Sequence, residues 1–293
     1  MKAKPDILAM QLIPAFKKDS DLVAEMDSAP PGDQHFYLWW LGQSGFLLQW
    51  NGTRLLLDPY LSDSLTKKYQ ETDRPHIRMS ERVVAPALLH NIAVITCSHN
   101  HTDHLDAETL LPVIAGNDGV TLIIPEANRQ FVADRLHCDP AFPVGLNEGR
   151  QVKVKGFVIQ GIPAKHNEIE RDEAGNCRFM GYVVQFGRFS IFHSGDTLWF
   201  DELVDLVKPF SVDVALLPIN GNDPARKVAG NLHCREAAAL GKAIGAKTVI
   251  PCHYDMFTFN TANVKDFVRE AAGIGQAYCV LRGGEYFKGG GRP

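Results

Sequence analysis

Three histidines and an aspartate crowd into six residues, at His99, His101, Asp103 and His104. No other part of the chain constrains the fold as much. The residues before them, Ile92-Ala93-Val94-Ile95-Thr96, are apolar, β-branched and few, which predicts a buried strand ending at Ser98. Just after them, Asp106 can cap a helix that runs through Leu110 and Leu111. The cluster therefore lies on a strand-to-helix turn at the carboxyl end of a strand, where α/β sheets place their sites. His99 and His101 can offer imidazole nitrogens to one cation, while Asp103 and His104 turn toward a second. Four side chains do not complete two coordination spheres, so further ligands must come from elsewhere in the chain.

Three later positions answer that need, each at the end of a strand-like segment. Residues 157–163 lead to His166, residues 189–195 to Asp196, and residues 247–252 to His253. Asp196 follows Ser194 and Gly195, a small-residue turn that lets a carboxylate come close enough to bridge two cations.

The ordered set HxHxDH at 99–104, then His166, then Ser194-Gly195-Asp196, then His253 resembles the metallo-β-lactamase superfamily over nearly the whole chain. Leu55-Leu56-Leu57-Asp58-Pro59 resembles the family's first motif, an aspartate after a strand that supports the metal site from behind. The flanks 40–46, 193–197 and 245–253 look like the branch that contains L-ascorbate-6-phosphate lactonase and many metal-dependent hydrolases. The stretch from His99 to Asp106 is also similar to N-acyl-phosphatidylethanolamine phospholipase D.

The resemblance implies an α/β fold, the four-layer αββα sandwich of two packed mixed sheets flanked by helices. It implies two divalent ions, zinc or manganese, with iron also compatible with nitrogen and oxygen donors. His99, His101 and His166 would hold the first, Asp103, His104 and His253 the second, with Asp196 bridging. Asp58 would orient a ligand histidine through its other ring nitrogen. His193 would support the ligands from behind or touch substrate. Asp103 and Asp196 would share in catalysis, in which a water between two cations loses its proton and attacks a carbonyl or phosphoryl centre.

The leading activity on this reading is hydrolysis of a small anionic cyclic ester of the sugar-acid lactone type, and the alternative is a phosphodiesterase acting on a lipid or nucleotide. Of other classes, a di-iron oxidoreductase is disfavoured because no flavin or rubredoxin-like module follows. A non-catalytic metal-binding protein is disfavoured because the ligand set is complete.

Composition agrees with one enzyme domain. The 293 residues could form one or two domains, but the ligands reach from position 99 to 253, so one fold must join both halves. A hydrophobic content of 45% suffices for a core. No apolar stretch reaches the roughly 18 residues that span a bilayer, and Met1-Lys2-Ala3-Lys4-Pro5-Asp6 lacks the apolar core of a signal peptide; the expected location is the cytoplasm. Six cysteines without CxxC spacing argue against a zinc ribbon and give no framework of paired bridges. Cys252 adjoins His253, yet strand alternation turns it away from the metals. A net charge of −4 without a lysine and arginine run argues against a nucleic-acid partner. The expected partner is a small-molecule substrate, with a homo-oligomer left open.

Residues 1–34, ending in Pro30-Pro31-Gly32, read as a polar N-terminal arm outside the core, and 35–293 as a single hydrolase domain. Strands are expected at 36–40, 45–50 and 54–57, the last two joined by the hairpin signal Asn51-Gly52. Helices are expected at 80–90 and 127–136 with a strand at 120–124. Strands follow near 157–162, 180–186, 189–193, 212–218, 248–252 and 277–282, with helices near 201–207, 233–244 and 262–272. Two loops, 165–178 and 220–227, would shape the substrate cavity. In the second, Asn220, Asn222 and Arg226 are candidate substrate contacts, Arg226 gripping a phosphate or carboxylate through its planar fork. His233 reads as the start of a helix rather than a ligand.

Overall fold

The computed structural model describes residues 11–290. In chain order its first half holds α1 (Asp19–Ser28), β1 (His35–Gly42), β2 (Gly45–Trp50), β3 (Thr53–Leu57), α2 (Ser64–Tyr69), β4 (Ile92–Thr96), α3 (Ala107–Ala115), β5 (Thr121–Pro125), α4 (Arg129–Leu136) and β6 (Val144–Leu146). The second half holds β7 (Gln151–Val154), β8 (Phe157–Pro163), β9 (Met180–Phe186), β10 (Phe189–His193) and α5 (Leu203–Val207). After these come β11 (Val214–Pro218), α6 (Cys234–Ala243), β12 (Thr248–Cys252), α7 (Val264–Gly273) and β13 (Tyr286–Gly290).

At Asn51 and Gly52 the backbone turns with φ of 47° and 79°. Positive values at both positions match the right-handed twist of the strands they join. From this hairpin grows a sheet of order β13-β1-β2-β3-β4-β5-β6, facing a second of order β12-β11-β10-β9-β8-β7. Strands β3 to β6 run parallel, as do β10 to β12, while the hairpin strands are antiparallel. Both sheets are thus mixed.

Strand alternation sorts β1 into two cores. Phe36, Leu38 and Trp40 point to the space between the sheets, where Phe46, Leu48, Leu55 and Leu57 meet Phe157, Ile159, Tyr182 and Ile191. Tyr37, Trp39 and Leu41 point outward, against Leu110 and Val113 of α3 and Val132 and Leu136 of α4. Helices α5, α6 and α7 cover the second sheet through residues such as Leu203, Leu240 and Phe267. The layers are helices, sheet, sheet, helices, the αββα sandwich expected from the sequence.

Three expectations are corrected. Leu22 and Met26 in the supposed arm are fully buried in the outer core of the first sheet, because their spacing of four residues puts both on one face of α1. Trp39 Nε1 donates to Glu25 Oε1 at 3.1 Å, and Arg54 pairs with Asp27 at 2.7 Å, which fixes the helix further. The first ten residues of that arm lie outside the described ones. The helix expected at 80–90 is an extended segment with one 3-10 turn at Pro86–Leu88; Pro86 holds the residue before it, Ala85, in the extended region with φ −69° and ψ 132°.

The strand expected at 277–282 shrinks to an isolated bridge between Tyr278 and Val249. The last sheet strand is instead β13, whose glycines hid it. A Cβ on Gly289 would lie 2.1 Å from Phe36 Cζ, so close packing of β13 on β1 requires a glycine there.

Candidate metal centre

Strands that run toward the same edge of the sandwich deliver the chemistry. Asp58 follows β3, His99 follows β4, His166 follows β8, Asp196 follows β10 and His253 follows β12. The turn before α3 adds His101, Asp103 and His104. A Cβ on Gly195 would lie 2.7 Å from Met180 O and from Ser98 Cβ, and Gly195 has φ 59°. Only glycine lets the Asp196 turn approach the histidine loop this closely.

The structure gathers all of the expected ligands into one cluster. His99, His101 and His166 form one group and Asp103, His104 and His253 a second, and His99, His104 and Asp196 form a third that joins them. Within each group the potential donor atoms lie within 4.8 Å of one another. Oδ2 of Asp196 stands 3.3 Å from Nε2 of His104, 3.3 Å from Nε2 of His253 and 3.7 Å from Nε2 of His166. Oδ2 of Asp103 is 3.6 Å from Nε2 of both His104 and His253.

These spacings fit a divalent ion. Donors about 2.0 to 2.2 Å from a tetrahedral centre, as nitrogen and oxygen are from zinc, lie about 3.3 to 3.6 Å from one another. Nε2 of His99, Nε2 of His104 and Oδ1 of Asp196 are buried without a hydrogen-bond partner. Buried polar atoms are ordinarily paired, so these orphans are explained by a cation that they could hold.

The opposite ring nitrogens are occupied. Nδ1 of His104 donates to Asp58 Oδ2 at 2.6 Å, and Asp58 Oδ1 accepts from the Ser98 amide at 2.8 Å. Ser98 Oγ donates to Asp58 Oδ2 as well. Nδ1 of His166 donates to the Gly230 carbonyl at 2.8 Å. With Nδ1 protonated, Nε2 keeps its lone pair for a metal. Asp58 and His253 hold left-handed backbones, with φ of 40° and 61°, conformations uncommon outside glycine and frequent at functional sites.

Electrostatics divide the cluster. Burial pushes His99 well below its ordinary value; His101, exposed at the cavity, is lowered by partial loss of water around its ring and by the neighbouring His166. Burial would also lower His253, but the carboxylates of Asp196 and Asp103 outweigh it and raise the ring to about 9. His104 is raised in the same way. Burial would raise Asp196, yet His253 and His104 hold it well below the carboxylate range. Without a cation, protons on His104 and His253 balance the acids; a metal would replace those protons.

The proposed substrate contacts do not reach the cavity. Asn220 is buried and bonded to Asn260 and Asn231. Asn222 lies against Gly230. Arg226 donates to Asn220 O at 2.6 Å and to Asn260 Oδ1 at 3.2 Å, so its fork holds the loop together instead of facing a ligand. Buried His193 donates from Nε2 to Ser44 O at 3.0 Å and packs edge-on to Phe46, behind the cavity. His233 caps α6 by accepting from the Glu236 amide. Cys252 is buried and free, and no disulfide joins any of the six cysteines.

Above the cluster opens a cavity of about 730 Å³, floored by His101, Asp103, His166, Asp196 and His253. Its walls carry Lys68, Arg74, Arg135 and Lys227 and one acid, Asp73, which pairs with Arg74 at 3.9 Å, with Tyr69, His76, Phe131, Phe257 and Phe259 between them. Tyr69 and His76 stack at 4.3 Å, and Phe259 meets His76 edge-on at 4.5 Å. Sequence reasoning missed this wall because α2 and the segment to His76 show no regular apolar period. It also assigned no role to Gln43, although that residue stands in the 40–46 flank. Gln43 is fully buried, and its Nε2 donates to Asp103 Oδ2 at 2.8 Å.

Comparisons with known proteins agree with this geometry. A curated protein of Methanosarcina mazei named as a metal-dependent hydrolase is 27% identical over 233 residues, or 78% of this chain and 87% of that protein. The mitochondrial N-acyl-phosphatidylethanolamine-hydrolyzing phospholipase D of Saccharomyces cerevisiae is 28% identical over 234 residues, covering 76% of this chain and 48% of that protein. The solved structure of an isothiocyanate hydrolase from Delia radicum gut bacteria matches with a TM-score of 0.67 at 16% identity, over 86% of this chain and 98% of that one, which shows a common fold. The family model described as Beta-lactamase superfamily domain matches residues 53–254, a span that contains Asp58 and every ligand candidate. The chain belongs to the beta-lactamase superfamily.

Proposed function

We propose that this metal-dependent hydrolase works with two divalent ions and acts on a small anionic ester. The observation that carries the reading is Asp196 Oδ2, which faces Nε2 of His104, His253 and His166 from between the two ligand groups. When bound, two divalent ions acidify a shared water and polarise the scissile carbonyl or phosphoryl group. His99, His101 and His166 would hold one ion, Asp103, His104 and His253 the other, and Asp196 both.

The remaining work falls to the chain itself. Asp58 and Gly230 keep the Nδ1 protons of His104 and His166 in place, so the rings stay oriented. Lys68, Arg74 and Lys227 give the cavity a positive wall that attracts and orients an anion. Phe257, Phe259 and Phe131 keep water away from the bound ester.

Two substrate classes follow. A phosphorylated or carboxylated lactone uses the cationic wall together with the polar groups of Thr72, Asn100, Thr102 and Asn260. A phosphodiester with an apolar substituent is favoured by the aromatic wall and by the similarity to a phospholipase D. A panel of phosphorylated and neutral sugar lactones and an aryl phosphodiester separates them. The expected result is turnover of an anionic member, lost on chelation and restored by zinc or manganese. Turnover that survives chelation, or that favours neutral esters, would overturn the reading.

A further inference from the structure

Gln43 occupies the tight turn between β1 and β2 with a left-handed backbone, φ 50°, a conformation uncommon for a residue other than glycine. Such strain persists where the surrounding structure enforces it and often marks function. Here it aims both halves of the residue at one ligand group. The Gln43 carbonyl accepts from the His253 amide at 3.0 Å and from Trp40 Nε1 at 3.0 Å. The side-chain Nε2 donates to Asp103 Oδ2 at 2.8 Å and lies 3.1 Å from Nε2 of His253. The other end of the amide, Oε1, is buried without a partner. A fully buried carboxamide with one unmatched atom is costly, so packing alone does not account for its presence.

We propose that Gln43 is a positioning residue for the second ion: it holds Asp103 and His253 in register and so sets that ion's affinity, while leaving the first ion's ligands untouched. The inference rests on the two-ion reading of the site. Asp103 is partly solvent-exposed at its carboxylate, and the Gln43 amide limits its rotation. His99, His101 and His166 have no hydrogen bond to Gln43 among the described residues, so the effect is confined to one group. Groups that orient metal ligands from behind typically contribute ten- to a hundred-fold to affinity.

Two substitutions separate this role from mere packing. Gln43→Met keeps the volume, and the main-chain bond to His253, but removes the donor. Gln43→Glu keeps the shape but replaces the donor with a carboxylate that repels Asp103. Metal-stripped full-length wild type and both variants are titrated with Zn²⁺ against a competing chelator, and Co²⁺ absorption reports the two sites separately.

The proposal expects two ions in wild type, and about ten- to a hundred-fold weaker binding of the same single ion in Gln43→Met and in Gln43→Glu, with the other ion unchanged. Loss confined to one ion is the signature, since a packing role would spare Gln43→Met, which keeps the volume. Two ions in wild type with unchanged or equally weakened sites in Gln43→Met would overturn the role of Gln43 and leave the two-ion reading standing. Fewer than two ions in wild type would overturn both.

Discussion

Nδ1 of His104 donates to Oδ2 of Asp58 at 2.6 Å, and neither side chain has any exposed surface. The pair links the end of β3 to the turn after β4, and so ties the frame of the first sheet to the candidate metal centre. Asp58→Asn keeps the shape but removes the charge that favours a proton on Nδ1. It should weaken one ion by about ten- to a hundred-fold while the other stays bound, as read by elemental analysis after dialysis against graded chelator.

The raised histidines give the metal-free protein a defined pH response. His253 stands at about 9 when folded, against 6.5 for a free imidazole, so it binds its proton more tightly in the folded state. Its contribution is fully present below about pH 6.5 and is lost as pH rises through 9. Asp196 works at the other end: its folded value is depressed, so its contribution is present above the unfolded value of 3.8 and is lost as pH falls through the folded one. The melting temperature of chelator-treated protein should fall between pH 6.5 and 9.5. The metal-loaded protein should show a smaller decline, because cations replace those protons.

On the proposed reading, anion recognition falls to the cavity wall and Arg226 serves its own loop. Lys68→Ala and Lys227→Ala should each raise KM for an anionic ester, by about three- to thirty-fold, with a smaller change in kcat. Arg226→Ala, which frees the loop bonds to Asn220 and Asn260, should act mainly on thermal stability. Steady-state kinetics on the three variants, beside their melting curves, checks the distinction.

Met26 tests whether α1 belongs to the core. Its side chain is fully buried, so Met26→Ala should destabilise the protein by about 2 to 5 kcal/mol. Chemical denaturation measures this directly; a change within about 0.5 kcal/mol, typical of surface sites, would return residues 19–28 to the status of an arm.

The site was more legible than its surroundings for a physical reason. Metal ligation demands particular side chains at particular offsets, so His99, His101, Asp103 and His104 announce themselves, and strand ends at His166, Asp196 and His253 supply the remainder. Cavity walls carry no such constraint. Tyr69 and His76 face the site through a segment without period, and the loop bonds of Arg226 were not legible because a charged loop residue reads alike whether it faces a ligand or its own backbone. Sheet strands with strong apolar runs, such as β4 and β12, showed in the sequence. Strand β13 did not, since the glycines that fit it against Phe36 erase the pattern. In α1 the low average hydrophobicity hid Leu22 and Met26. Gln43 went unassigned because its role depends on a turn that brings residue 43 beside residues 103 and 253.

The most direct test of the two-ion centre is elemental analysis of freshly purified, unchelated protein, with Asp196→Ala alongside. The account predicts close to two divalent ions per wild-type chain, and at most one in Asp196→Ala together with loss of ester hydrolysis. Wild-type protein without bound metal, or an Asp196→Ala protein that keeps both ions and full activity, would contradict it.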